Sequence, residues 1–210
     1  MKIGHGITGK GQDRRRKDFC PIQVIVYADD FVVIAKERWI VKELKDVIGQ
    51  WCMDKMGVEL GSEKTHITDI YDGFDFLGCN IRKYKSNETN SKSLIKPSKD
   101  SIKSIKLKIK DIIKSSGGVS QDVLITRLNP VTRGWANYHN GNIASKIFKS
   151  LDSYIFERLW KWVCERHATK GKIWIKSKYW NWVFKTDKHE LYKMAITKIV
   201  RHNQKQSPCI

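Results

Sequence analysis

An α+β fold is predicted by three observations on this 210-residue chain. Two apolar runs of strand length, Val24-Ile25-Val26 and Phe31-Val32-Val33-Ile34, flank the acidic pair Asp29-Asp30. Phe74, Phe76 and Ile81 alternate as in a hairpin with its aromatic side packed inward. Beyond residue 98 the apolar residues change period, recurring at steps of three and four as on the buried face of a helix.

Composition bounds what such a fold can do. With 40% hydrophobic and 30% charged residues, the chain can bury a core as one or two domains. Its net charge is +18 and very unevenly spread: residues 1–80 carry 12 Lys+Arg against 13 Asp+Glu, and residues 81–210 carry 28 against 9. A surface tuned only for solubility mixes both signs, so this asymmetry points to a polyanion such as nucleic acid. A membrane-surface role would need a cationic amphipathic helix with a large apolar face standing apart from the fold, and none is evident. No run is apolar enough to span a bilayer, and Met1–Lys17 lacks the apolar centre of a signal peptide. Cys20, Cys52, Cys79, Cys164 and Cys209 are odd in number and have no zinc-finger spacing. They read as reduced thiols of a cytoplasmic protein.

In chain order, residues 1–21 are rich in glycine and charge and read as a flexible basic lead-in. Asp29 and Asp30 are disfavoured inside strands, which places them at or beside the hairpin turn. Two adjacent carboxylates repel each other, and a hard divalent cation such as Mg2+ relieves the conflict. Ile40, Leu44, Val47, Ile48, Trp51 and Cys52 predict an amphipathic helix over roughly 36–56, closed by Gly57. Residues 58–67 read as an extended piece, a turn and a strand start around Lys64. Residues 82–98 are polar and read as a loop or linker. A domain boundary therefore falls there, dividing residues 22–96 from 97–210.

Ser98 is placed to cap a helix whose core side is Ile102, Ile105, Ile109, Ile112 and Ile113. Its gaps are filled by Lys103, Lys106, Lys108, Lys110 and Lys114, against two Asp, and that excess favours a phosphate-facing surface. After Gly117-Gly118, a short helix over 119–128 is expected. Asn129-Pro130 then reads as a cap and first position of another helix carrying Arg133 and Trp135. A long helix from about Ser145 to His167 has Phe148, Leu151, Ile155, Leu159, Trp162 and Val163 as its core stripe. Six of the eight tryptophans lie between Trp135 and Trp182, interleaved with basic residues; most belong to a core, and a minority could stack on bases.

Tyr27-Ala28-Asp29-Asp30-Phe31 resembles the catalytic box of reverse transcriptases, in the form of the group II intron-encoded branch. The order carboxylate box, helix, Lys64-Thr65, Gly73-Phe74-Asp75-Phe76-Leu77-Gly78 is similar to that family without a break. Leu128 through Tyr138, Leu159-Trp160-Lys161-Trp162, Arg166-His167 and Trp174 through Tyr179 resemble its maturase-specific domain. Together the resemblance covers residues 24–203. It implies the second half of a polymerase palm followed by an α-helical thumb. It further implies Asp29 and Asp30 as catalytic Mg2+ ligands, Lys64 near the incoming nucleotide, and Phe76, Leu77 and Gly78 as a grip on the primer end. Partners would be group II intron RNA and an RNA/DNA template-primer, with Lys103, Lys106, Lys110, Arg133, Lys161 and Arg166 as candidate RNA contacts.

The chain departs from the family before the carboxylate box. The fingers and the palm strand bearing a further catalytic Asp do not fit in residues 1–22, and neither Asp13 nor Asp18 is set in an apolar strand. The expectation is therefore a C-terminal portion of an RNA-directed DNA polymerase/maturase with an incomplete metal site, inactive alone unless a separate N-terminal fragment completes it. The alternatives are an RNA-binding splicing cofactor without polymerase activity, or a non-functional gene remnant.

Overall fold

The computed structural model describes residues 22–61, 63–87 and 90–200; the expected lead-in over 1–21 lies outside them. The chain is α+β, with five α-helices and three small antiparallel sheets among the described residues. It divides into two compact units between Ile67 and Thr68.

In the first unit, β1 (Gln23–Tyr27) pairs with β2 (Asp30–Ile34) from Gln23↔Ile34 to Tyr27↔Asp30. Only Ala28 and Asp29 are left to turn the chain. Ala28 has φ 52°, the sign that tight hairpin turns need at their first residue to match strand twist. The helix α1 (Arg38–Met56) ends at Gly57, whose φ of 63° and N–H bonds to the Cys52 and Met53 carbonyls form the expected left-handed cap. Its apolar stripe is only partly covered: Ile40, Leu44 and Ile48 are half-buried, and Val47 and Trp51 are exposed. Cys52 is the one buried apolar residue described in this unit. The strand start expected at 65–67 is absent from the structure. Instead, the Lys64 and Thr65 N–H groups both bond to the Gly61 carbonyl, making a turn.

The second unit begins with a three-stranded sheet, β3 (Phe74–Phe76), β4 (Cys79–Asn87) and β5 (Asn90–Pro97), in the order β3-β4-β5. The hairpin read from Phe74, Phe76 and Ile81 is present, with Phe74 opposite Ile81. The linker expected over 82–98 is not. Those residues form β4 and β5, paired from Cys79↔Pro97 outward. Lysine-rich strands show no apolar alternation; here Tyr84 supplies the packing surface, with Arg82 at 5.2 Å and Lys96 at 5.1 Å from its ring centre. The sheet also feeds directly into the helices, because the Ser98 N–H bonds to the Gly78 carbonyl and the Ile143 N–H to that of Ile95. For that reason the compact units divide at 67/68 rather than near residue 96.

Helices α2 (Lys99–Lys114), α3 (Gln121–Tyr138), α4 (Ser145–Arg166) and α5 (Lys172–Tyr179) enclose the core. Ser98 caps α2 by accepting from the Ser101 N–H, and Ser120 caps α3 by accepting from that of Val123. All six residues of the stripe predicted for α4 are buried. Fully burying each such side chain stabilises the fold by roughly 1.5–3 kcal/mol.

The break expected at Asn129-Pro130 does not occur: α3 runs through Pro130. Leu124, Ile125 and Leu128 before it and Thr132 and Ala136 after it share one buried stripe. Their burial offsets the roughly 3 kcal/mol that an interior proline costs. Pro130 and Thr126, whose carbonyl loses its donor, both lie on the exposed side of the helix. Asn129, instead of capping, accepts from the Tyr192 N–H and donates to the Glu190 carbonyl. It thereby clamps the segment that leads to the 3-10 turn Met194–Ile196.

Candidate nucleic-acid interface

The outer side of α2 carries a row that the sequence reading only partly assembled. Lys99, Lys103, Lys106, Lys110 and Lys114 recur at steps of three and four. At 3.6 residues per turn they fall within an arc of about 80° and extend along roughly 22 Å of helix. Ile105, Ile109 and Ile113 face the core beside them. Lys99, Lys103, Lys110 and Lys114 are exposed, and among the described residues none of the five is in an ion pair.

Lys106 is half-buried and sits 5.3 Å from the ring centre of Tyr154 on α4, with Arg158 at 5.0 Å from the same ring. The Tyr154 hydroxyl donates to the Lys106 carbonyl, which fixes the two helices in step. A cationic strip thus crosses from α2 onto α4. Lys161 lies further along α4, 3.8 Å from Glu165, with both side chains about two-thirds exposed and their attraction screened by water.

The six candidate RNA residues therefore separate. Lys103, Lys106 and Lys110 fall in one row. Arg133 lies 5.1 Å from the Tyr192 ring, while Arg166 donates to the Val119 carbonyl and stacks 5.0 Å from the Trp162 ring. Both arginines are exposed, but they lie on α3 and α4 over rings other than Tyr154, outside the row. Lys99, Tyr154 and Arg158 complete the strip and went unassigned in the sequence; the lysine spacing was a signal for the first, whereas the other two are visible only once α2 meets α4.

A second feature lies against this helix. The turn Leu77-Gly78 joins β3 to β4 with positive φ at both residues, 48° and 71°. Glycine adopts this without strain, but for leucine it costs roughly 1–2 kcal/mol. The Tyr138 hydroxyl holds the turn in place, donating to the Leu77 carbonyl at 2.7 Å. Phe76, Leu77 and Gly78 form one wall of a groove of about 860 Å³ between this turn, α2 and α3. Ser98, Ser101, Ser104 and Lys108 line its α2 side, and Gly134 and Trp135 its α3 side.

Under the groove lies a polar network around His139, which is fully buried. Its Nε2 is 3.2 Å from Ser101 Oγ, which also accepts from Trp135 Nε1 at 3.1 Å. Its Nδ1 is 2.9 Å from Asn142 Nδ2 and 3.9 Å from Cys79 Sγ. Burial lowers the His139 pKa to about 4, so the ring is neutral at physiological pH and locks hairpin, α2 and α3 together.

In the first unit, Asp29 is in the two-residue turn and Asp30 opens β2, both exposed. Lys64 sits in a separate turn, closed by its own N–H and that of Thr65 on the Gly61 carbonyl. Among the described residues no group of three or more His, Cys, Asp or Glu side chains is arranged to hold a metal. Two adjacent carboxylates supply too few oxygens for the octahedral demand of Mg2+ without further ligands. Asp29 and Asp30 by themselves therefore do not make up a Mg2+ site among the described residues. No described helix is long and apolar enough to cross a membrane.

Comparison with known proteins agrees with the helical half. Residues 102–180 match the family model described as "Group II intron, maturase-specific domain". The chain is also 32% identical over 95 residues to the "Ribosomal operon-associated A protein" of Euglena gracilis. That alignment covers 43% of this chain and 18% of the relative, so the chain spans a small part of that protein's length.

Proposed function

We propose that this chain, whose residues 102–180 match the model of the group II intron maturase-specific domain, is the C-terminal portion of an intron-encoded maturase and acts by binding intron RNA. The observation that carries this reading is the coincidence of that domain with the unpaired lysine row of α2. In this reading the helical unit is the thumb, and the groove beside Phe76, Leu77 and Gly78 receives the template-primer. Lysines spaced along one helix bind phosphates without reading sequence, so affinity should fall steeply with salt.

Binding of the 210-residue chain to a structured group II intron RNA, followed against salt, tests the reading. Changing Lys99, Lys103 and Lys110 together to Gln should lower the salt slope by about 2–3, near one per lost phosphate contact. An unchanged slope in a folded variant would remove α2 from the interface. Asp29→Ala with Asp30→Ala should leave that binding intact.

The reading of residues 22–96 as the C-terminal half of a polymerase palm rests on the hairpin that holds Asp29 and Asp30 at its turn. Bound Mg2+ would there stabilise charge on the transferred phosphate. Asp29 and Asp30 would contribute two of its ligands, a separate N-terminal fragment the others. The chain alone should show no primer extension with Mg2+, and adding such a fragment should restore synthesis only when both aspartates are intact. Robust synthesis by the chain alone would overturn the incomplete-site reading.

A further inference from the structure

A different part of the helical unit carries a feature that neither the lysine row nor the groove uses. Strands β6 (Trp180–Asn181) and β7 (Val183–Phe184) pair as Trp180↔Phe184 and Asn181↔Val183, so a single residue, Trp182, reverses the chain. Its φ is 67°, a backbone conformation that glycine adopts freely and a bulky residue rarely does. Trp182 is 95% exposed, more than any other large apolar residue described.

The base of this hairpin is rigid. The Trp180 ring lies 4.9 Å from that of Phe184 and 5.4 Å from those of Phe156 and Trp160, and Phe184 is buried. Gln121 Nε2 donates to both the Tyr179 and Lys185 carbonyls, pinning the two legs to α3. The tip is therefore an indole held in water on a stiff support.

We propose that Trp182 is a stacking finger that takes the face of an unpaired RNA base, while the lysines flanking the hairpin hold the adjoining phosphates. Residues 170–190 contain six lysines against two acids. Lys170 and Lys178 both lie over the Trp174 ring, at 5.5 and 4.7 Å. Together with Arg166 they hold His167 below its usual pKa after burial has lowered it. Asp122, the acid that approaches this segment from α3, is occupied by Thr186 and His189. A cationic surround with one free ring suits a base and its phosphates. It suits a second copy poorly, because two chains of net charge +18 would meet through their basic flanks.

This inference rests on the RNA-binding reading and adds to it a preference for unpaired bases. The test uses the full chain with two RNA duplexes of equal length, one fully paired and one with a single bulged 2-aminopurine. The unaltered protein should bind the bulged RNA roughly ten-fold more tightly, as stacking on one aromatic ring provides, with a change in 2-aminopurine emission. Trp182→Ala and Trp182→Gly should bring both affinities to within two-fold and abolish the emission change, and Trp182→Phe should retain most of the preference. Glycine relaxes the positive φ, so Trp182→Gly separates lost stacking from lost stability.

Equal affinities in the unaltered protein, or a preference that survives Trp182→Gly, would overturn the finger while leaving RNA binding by α2 intact. A sedimenting dimer that Trp182→Ala dissolves would overturn it in favour of self-association. Failure of the unaltered protein to bind either RNA would overturn both readings.

Discussion

In the helical unit Ile109, Leu124, Leu128, Leu151 and Leu159 are wholly enclosed, whereas in the hairpin of the first unit Val24 and Val26 are 59% and 66% exposed. Both stretches are apolar, and what separates them is closure. The helices meet one another on several sides, with Trp162, Tyr179 and Phe184 filling the space between. The first unit offers a two-stranded sheet, a form that is marginal in water by itself. An exposed run of β-branched residues on a strand with no second neighbour among the described residues is a pairing surface, and also a hazard for aggregation. The contrast teaches that the proposed RNA surface lies on a unit whose core is closed, whereas the Asp29-Asp30 hairpin lies on one whose apolar faces stay exposed among the described residues.

The largest test of that contrast is in the core. Phe148→Ala should lower the unfolding free energy by about 3–5 kcal/mol in urea titrations, whereas Val26→Ala should stay within about 0.5 kcal/mol. Comparable losses at both sites would mean that the hairpin is closed by contacts of its own.

A second test uses pH. His139 binds its proton near pH 4 when folded and near 6.5 when unfolded, so the unfolded state holds more protons between those values. Stability should be complete above about pH 6.5 and fall as pH drops toward about 4, with a slope reaching at most about 1.4 kcal/mol per pH unit. The loss should register in the helical unit's tryptophan fluorescence and be smaller in His139→Asn. A flat profile would show that the ring takes up its proton without leaving the cluster. A smaller loss than at Phe148 is expected at the groove wall, where Tyr138→Phe removes the bond to the Leu77 carbonyl and should cost about 1 kcal/mol.

Much of this fold was legible because its causes are short-range. The α4 stripe, the Ser98 and Gly57 caps and the Phe74–Ile81 pairing each follow from residues within a few turns or one hairpin of each other. Strands β4 and β5 are not legible, because cationic side chains covering a tyrosine show no apolar alternation. Asn129-Pro130 reads as a helix start because an asparagine that clamps residues 190–192 looks, locally, like one that caps.

The sequence by itself determined α1, α2 and α4, the buried faces of α2 and α4, the two carboxylates at a hairpin turn and the lysine period along α2. Periodicity and capping act within about a dozen residues, so spacing records them. Only the tertiary structure decided which cations lie together, since Arg158 on α4 shares the Tyr154 ring with Lys106 on α2. It also decided that the Leu77-Gly78 turn would meet Tyr138, 61 positions away, and that Trp182 would stand clear of the aromatic cluster that anchors it. Those outcomes depend on which surfaces close against one another, and such long-range contacts leave no period in the chain.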